Sequence, residues 1–538
     1  MSDPVQNSRR RFIATASAFG AVSWLGFPLS ARAGISAFMQ AVAEAAAGDG
    51  ELASFYRENG YAPVWTGRGG KARARRQALL AALEGAGDHG LPASRYDSEL
   101  LRAKLRTVRS ERDLGRIEVE LSRLFLHYAR DIQSGILEPR KVDREIARKR
   151  PLRDGAVTLA NFTRSSPAAY LRQLPPQTAE YARLMKHKLK LERVLARGGW
   201  GPKVPVRKLQ PGDSGAAVVA LRNRLIAMGF MRRTASASYD ARLKAAVQRF
   251  QLSHGLAADG IAGKGTITEI NVPPEKRLAS IIVAMERERW LNLPRGNPYI
   301  WVNIPDFRVK MFENGKVIYD TISVVGKNTW DRKTPEFSDQ MEYMVINPSW
   351  YVPRSIAVKE YLPMLKRDPN AVRQLELTGR NGQVVPRSAV DFSQYDASNF
   401  PFSLREPPSQ GNALGVVKFM LPNRFNIYLH DTPAKSLFRY EKRDFSHGCI
   451  RLQKPFEFAY TLLSRQTANP KEFFHTRLRT GKETKVDLVR PIPVHIVYRT
   501  AFTTARGEIE FRRDVYGRDA KVFAALQKAG VVLRAYQG

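Results

Sequence analysis

Tyr299 to Gly326 reads YIWVNIPDFRVKMFENGKVIYDTISVVG. β-Branched and aromatic residues recur at a period of two, and Glu313-Asn314-Gly315-Lys316 is a hairpin-turn signal. This stretch opens a mainly β domain, expected over residues 297–517. Met341 to Pro348 continues the sheet. VVKFMLPNRFNIYLHDT (Val416 to Thr432) predicts two strands around Pro422-Asn423, and PIPVHIVYRTAF (Pro491 to Phe502) predicts a late one. Between Pro353 and Leu414 the strand pattern lapses into a helical run, SIAVKEYLPMLKRD (Ser355 to Asp368), and a polar, Pro/Gly-rich return. About sixty residues is too long for a connection inside a compact sheet, so a lid insert is expected at about 353–414.

Upstream the period is helical. QALLAAL (Gln77 to Leu83) and RIEVELSRLFLH (Arg116 to His127) carry apolar residues at three- and four-residue spacing, within a helical domain expected over 34–200. Glu118, Glu120, Asp131 and Glu138 there read as solvated helix faces rather than a carboxylate site. GGWGPKVPV (Gly198 to Val206) is a Gly/Pro linker. Residues 205–272 predict short amphipathic helices joined by Gly-containing turns, residues 275–296 a connecting helix, and residues 518–538 a C-terminal tail. The fold class is multidomain α+β.

Lys and Arg outnumber Asp and Glu by 87 to 51, a formal net charge of +36. Such a surplus implies an anionic partner. The basic residues are spread along the chain and no zinc-finger or RNP-like motif appears, so an anionic cell envelope fits as well as nucleic acid, and the N-terminus decides for the envelope. Ser8-Arg9-Arg10-Arg11-Phe12-Ile13 resembles a twin-arginine export signal. An apolar run to Leu29 follows, and Ala31-Arg32-Ala33 reads as a cleavage site, giving a signal peptide over 1–33 and a periplasmic mature protein.

The chemistry is concentrated in HDTPAKSLFRYEKRDFSHGCIR, His430 to Arg451. It holds Cys449, the only cysteine, and two of the eight histidines, His430 and His447. Thiol chemistry needs a thiolate, a base and amide donors for an oxyanion. Cys449 is the candidate nucleophile, and the N–H groups of Gly448 and Cys449 are candidate donors. His430 ends the apolar run FNIYL (Phe425 to Leu429), a rigid mount for a base. Adjacency alone points instead to His447. With no HExxH or CxxC beside it, the set is a poor zinc site, and no metal or organic cofactor is implied.

Ser446-His447-Gly448-Cys449-Ile450-Arg451, preceded by His430, resembles the signature of the YkuD-type L,D-transpeptidases, in the large YcbB-like subgroup, where Arg replaces the commoner Asn. The segments FYRENGYAPVWT (Phe55 to Thr66) and DHGLPASRY (Asp88 to Tyr96) are similar to that subgroup's scaffold domain, and Leu209 to Ile270 resembles a three-helix peptidoglycan-binding module. The resemblance implies that Cys449 attacks and His430 is the general base, with His447 a structural and oxyanion-loop residue. Ser446 and Arg451 would position loop or substrate, and Trp350 and Tyr428 would line the cleft. The implied activity is 3→3 cross-linking of peptidoglycan stem peptides through a cysteine thioester, with carbapenems as expected inhibitors. A related acyl enzyme with another acceptor (water, a free D-amino acid or a protein amine) and a non-catalytic wall-binding protein are the alternatives.

Overall fold

The period-two stretch at Tyr299 folds into a nine-stranded mixed sheet in a computed structural model of the protein, which describes residues 36–533. The expected signal peptide at 1–33 lies outside the described residues. In spatial order the strands are Asp444–Ser446, Lys316–Gly326, Ile450–Leu452, Leu429–His430, Val417–Met420, Phe337–Ile346, Thr484–Val497, Tyr299–Asn303 and Arg308–Glu313. Arg308–Glu313 also pairs with Lys316–Gly326, which closes the sheet on itself. The predicted turn joins those two strands, with Asn314 and Gly315 both at positive φ, the backbone a tight hairpin demands. Alternate residues of the strands, among them Ile300, Val302, Val309, Met311, Val494 and Ile496, are fully buried in one apolar core.

Two local readings differ from the structure. Only Leu429 of FNIYL enters a strand. Asn426 sits at φ 53°, and the Asn423 side chain accepts from the N–H groups of Phe425 and Ile427, so a side-chain-stabilised turn replaces the strand. The expected tail at 518–538 contains a helix, Arg518–Lys528, with Val522 and Leu526 fully buried.

The helical part packs around Glu111–Ser134, which starts at a Ser110/Asp113 capping box. Glu118, expected to be solvated, is fully buried. It accepts from the N–H groups of Val64, Trp65 and Thr66 and from the Thr66 and Tyr56 hydroxyls. These donors offset the cost of burying the charge. Asp131 accepts from the Tyr96 hydroxyl, whereas Glu120 stays on the surface with Lys104.

The helices Ala216–Ala227, Ala241–Ser253 and Lys264–Ile270 enclose a small core of their own around Leu221, Val247 and Phe250. The following helix, Pro274–Trp290, is the axle of the molecule. Glu286, Arg287, Glu288 and Arg289 are all buried, because successive residues face different neighbours. Glu286 accepts from the Ile136 and Leu137 N–H groups, and Arg287 pairs with Glu336 and Asp519. Glu288 pairs with Arg295 and Arg499, and Arg289 donates to the Tyr181 hydroxyl. One helix thereby ties the helical domain, the sheet and the C-terminal helix together.

Candidate functional site

Three adjacent strands build the floor of the site. Lys418 lies directly across from His430 in an antiparallel pair, and Arg451 directly across from His430 in a parallel pair. Opposed residues share a face of a sheet, as do residues two apart on a strand. Lys418, His430 and Arg451 therefore belong to one face; Tyr428 and Cys449 immediately precede two of these strands, and all five residues line one cleft of about 970 Å³. Leu429 and Ile450 point the other way, into the core.

The loop bearing Cys449 is braced from within. Ser446 Oγ accepts from the Gly448 N–H at 3.1 Å and donates to the Cys449 carbonyl at 2.5 Å. Thr334 Oγ1 donates to the Gly448 carbonyl at 2.7 Å and accepts from the Gly326 N–H at 2.9 Å. Gly448 sits at φ 121°, and a Cβ on Gly326 would stand 2.0 Å from the Arg332 carbonyl and 3.0 Å from Gly448 Cα. Both glycines are there for backbone reasons. The bracing corrects one expectation: the Gly448 N–H is spent on Ser446, which leaves the Cys449 N–H as the loop's amide donor.

His447 Nε2 lies 2.7 Å from Glu360 Oε1, on the insert, a structural contact. Arg332 pairs with the same oxygen at 2.7 Å. Its neighbour Lys359 bridges to Asp331 at 3.6 Å and stands over the Trp330 ring. Thus residues 330–332, the cysteine loop and the insert are clasped together.

The insert is a folded unit rather than a lapse in structure. Trp350–Tyr351, Ser403–Glu406 and Glu376–Thr378 form a three-stranded sheet, and Leu365, Leu375, Leu377, Phe392, Phe400 and Leu404 are among its own core. The helix through Arg354–Arg367 carries a π-helical segment, Ala357–Tyr361, which supplies Lys359, Glu360 and Tyr361 to the cleft wall. Trp350 also lines the cleft, edge-on to Tyr361 at 6.3 Å.

Burial sets the resting protonation of the two central groups. It pushes the Cys449 thiol up to about 11, with Tyr428 and the Arg451 guanidinium working against it, so the sulfur rests as a thiol. Sγ donates to the Asn426 carbonyl at 3.5 Å, and its other polar partners are the Tyr428 backbone and the Tyr428 hydroxyl, itself bonded to the Trp350 side chain. Burial, then Arg451, pulls His430 down to about 3, so the imidazole is neutral. Backbone groups of Asp431 and Leu414 partly oppose that fall, and Nδ1 itself is buried. The structure brings His430 and Cys449 to one cleft but records no hydrogen bond between them among the described residues. Lys418 was not singled out from the sequence; a lysine inside the apolar run Val416–Met420 was the available signal.

Comparison with known proteins identifies three domains. Residues 297–487 match the YkuD model, described as the L,D-transpeptidase catalytic domain. Residues 50–187 match the "Scaffold domain" and residues 214–270 the "Putative peptidoglycan binding domain". A Haemophilus influenzae protein named "Putative L,D-transpeptidase" is 31% identical over 242 residues, 45% of this chain and 48% of its own length. The chain thus matches about half the length of that relative. Solved L,D-transpeptidases from Xylanimonas cellulosilytica and Stackebrandtia nassauensis align with 55% of this chain and with 98% and 97% of theirs. They do so at 12% and 13% identity and TM-scores of 0.18 and 0.21, overlaps too loose to carry a structural argument. By these three matches the chain carries a YkuD L,D-transpeptidase catalytic domain, with a scaffold domain and a peptidoglycan-binding-type domain ahead of it.

Proposed function

We propose that this chain cross-links peptidoglycan stem peptides by cysteine acyl transfer. The observation that carries the reading is the placement of the Cys449 thiol and the neutral His430 imidazole in one cleft. A neutral imidazole can take a thiol proton, and such contacts tighten when substrate binds. The donor is a tetrapeptide ending in diaminopimelate–D-Ala. Cys449 Sγ attacks the diaminopimelate carbonyl as its proton passes to His430, and the Cys449 N–H faces the oxyanion. Collapse expels D-Ala, whose amine takes that proton, and leaves a thioester. The side-chain amine of a second stem attacks the thioester and gives its proton to His430. The thiolate leaves and is reprotonated, completing a 3→3 cross-link. Lys418 and Arg451 supply positive charge for substrate carboxylates in the cleft.

Incubating the purified protein with disaccharide tetrapeptides tests this. Mass spectrometry should find released D-Ala and a 3→3 dimer, and neither with Cys449→Ala. Tripeptide alone would favour hydrolysis over transfer, and no turnover would end the reading.

An extracytoplasmic site of action goes with this substrate. No helix among the described residues is long and apolar enough to cross a membrane. Arg9-Arg10 would direct export by the twin-arginine route, since Lys keeps the charge but loses the guanidinium fork. Replacing both with Lys should leave the protein in the cytoplasm; normal periplasmic accumulation would show another route.

A further inference from the structure

A second cavity, of about 350 Å³, lies between the peptidoglycan-binding-type module and the catalytic domain. The module contributes the turn that ends its second helix, from His254 to Ala257. The catalytic side contributes residues 438–443, part of the loop that runs from His430 to the cysteine. The two walls are fastened: the Ala257 N–H donates to Glu441, Arg512 donates to the Ser253 carbonyl, and Arg513 pairs with Glu269.

The lining is strongly cationic. Arg308, Arg439, Lys442, Arg443, Arg512 and Arg513 face two carboxylates, Asp306 and Glu441. Four of the six cations already have acidic partners: Arg308 with Asp320, Lys442 with Asp444, Arg512 with Asp306, Arg513 with Glu269. Arg439 and Arg443 form no ion pair among the described residues, and Asp306 and Glu441 act on Arg443 only at longer range. Arg439 is exposed. Arg443 is half-buried with its guanidinium 5.1 Å from the Phe307 ring centre, and it donates only to the Ser323 and Tyr440 carbonyls. Burial pulls it down to about 10, so it remains charged at neutral pH. A partly desolvated guanidinium bonded only to carbonyls, beside a free one and a cavity, suits a planar anion such as a carboxylate. Tyr440, more than half exposed, offers an apolar face at the rim.

We propose that this groove grips a peptidoglycan strand by the free carboxylates of its stem peptides, through Arg439 and Arg443. The choice of anion rests on the reading of the chain as a stem-peptide transpeptidase. The groove would hold a strand on the loop whose two ends carry His430 and Cys449, so that wall binding and chemistry share one segment of chain.

Co-sedimentation of the full chain with purified sacculi tests the groove, with turnover of soluble disaccharide tetrapeptide as a separate readout. Arg439→Glu, a surface change with no partner to lose, and Arg443→Gln should together weaken sedimentation about tenfold or more. Turnover of the small soluble substrate should be unchanged. Sacculi whose stems have been removed by an amidase should bind the unaltered chain as weakly as intact sacculi bind the double variant. Equal sedimentation of variant and unaltered chain, or undiminished binding to stem-free glycan, would overturn the proposal. A chain that shows the groove effects but turns over no muropeptide would retain the groove and lose the enzymatic reading.

Discussion

Arg451 lies directly across from His430 on the neighbouring parallel strand, and its charge is the second cause, after burial, that keeps the imidazole neutral. The same guanidinium favours the Cys449 thiolate. One residue thus biases base and nucleophile in the directions that acyl transfer needs.

Arg451→Met should uncouple the two. With the cation gone the His430 pKa rises, so the acid limb of the kcat/KM profile moves to higher pH. Loss of a charged contact should also lower kcat/KM about tenfold at neutral pH. The pH–rate profile checks this; an unmoved acid limb would show that Arg451 does not act on His430.

Glu360 is where the insert meets the cysteine loop, through His447 and Arg332. Glu360→Ala should loosen the clasp, admit water and raise tripeptide relative to dimer, by about threefold or more if closure protects the thioester. Cys449 should still acylate. The product ratio in a muropeptide time course is the measurement, and an unchanged ratio in a folded variant would make the insert a passive wall.

Acid should destabilise the fold steeply. Burial pulls His430 down to about 3, His89 and His495 to about 4, and His254 well below 6.5. Each depressed histidine takes up a proton on unfolding once pH drops below 6.5, so stability present above that pH is lost on acidification. Asp519, raised by burial, acts in the opposite sense. The depressed histidines outnumber it, and each contributes about 1.4 kcal/mol per pH unit well below 6.5. Urea midpoints should fall from pH 7.5 to 5.5; equal midpoints would contradict the buried neutral histidines.

What the sequence revealed was local. The hairpin at Asn314-Gly315, the helical periods and the spacing from His430 to Cys449 are all visible along the chain. What it hid depends on contacts distant in sequence. Lys418 joins His430 only through strand register, and His447 reaches Glu360 across 87 positions. Glu118 looked like a surface carboxylate because no periodicity reports the three backbone N–H groups that bury it. The C-terminal helix looked like a tail because Arg518 and Asp519, both buried, find their partners at Glu145, Thr334, Arg287 and Thr500.

The most direct test of the central claim is the intact mass of the protein after brief exposure to donor tetrapeptide without an acceptor amine. The account predicts an increase equal to the donor minus D-Ala, carried on the peptide that contains Cys449, strongly slowed in His430→Ala and absent in Cys449→Ala. The same adduct on folded Cys449→Ala, or an undiminished acylation rate in His430→Ala, would contradict it.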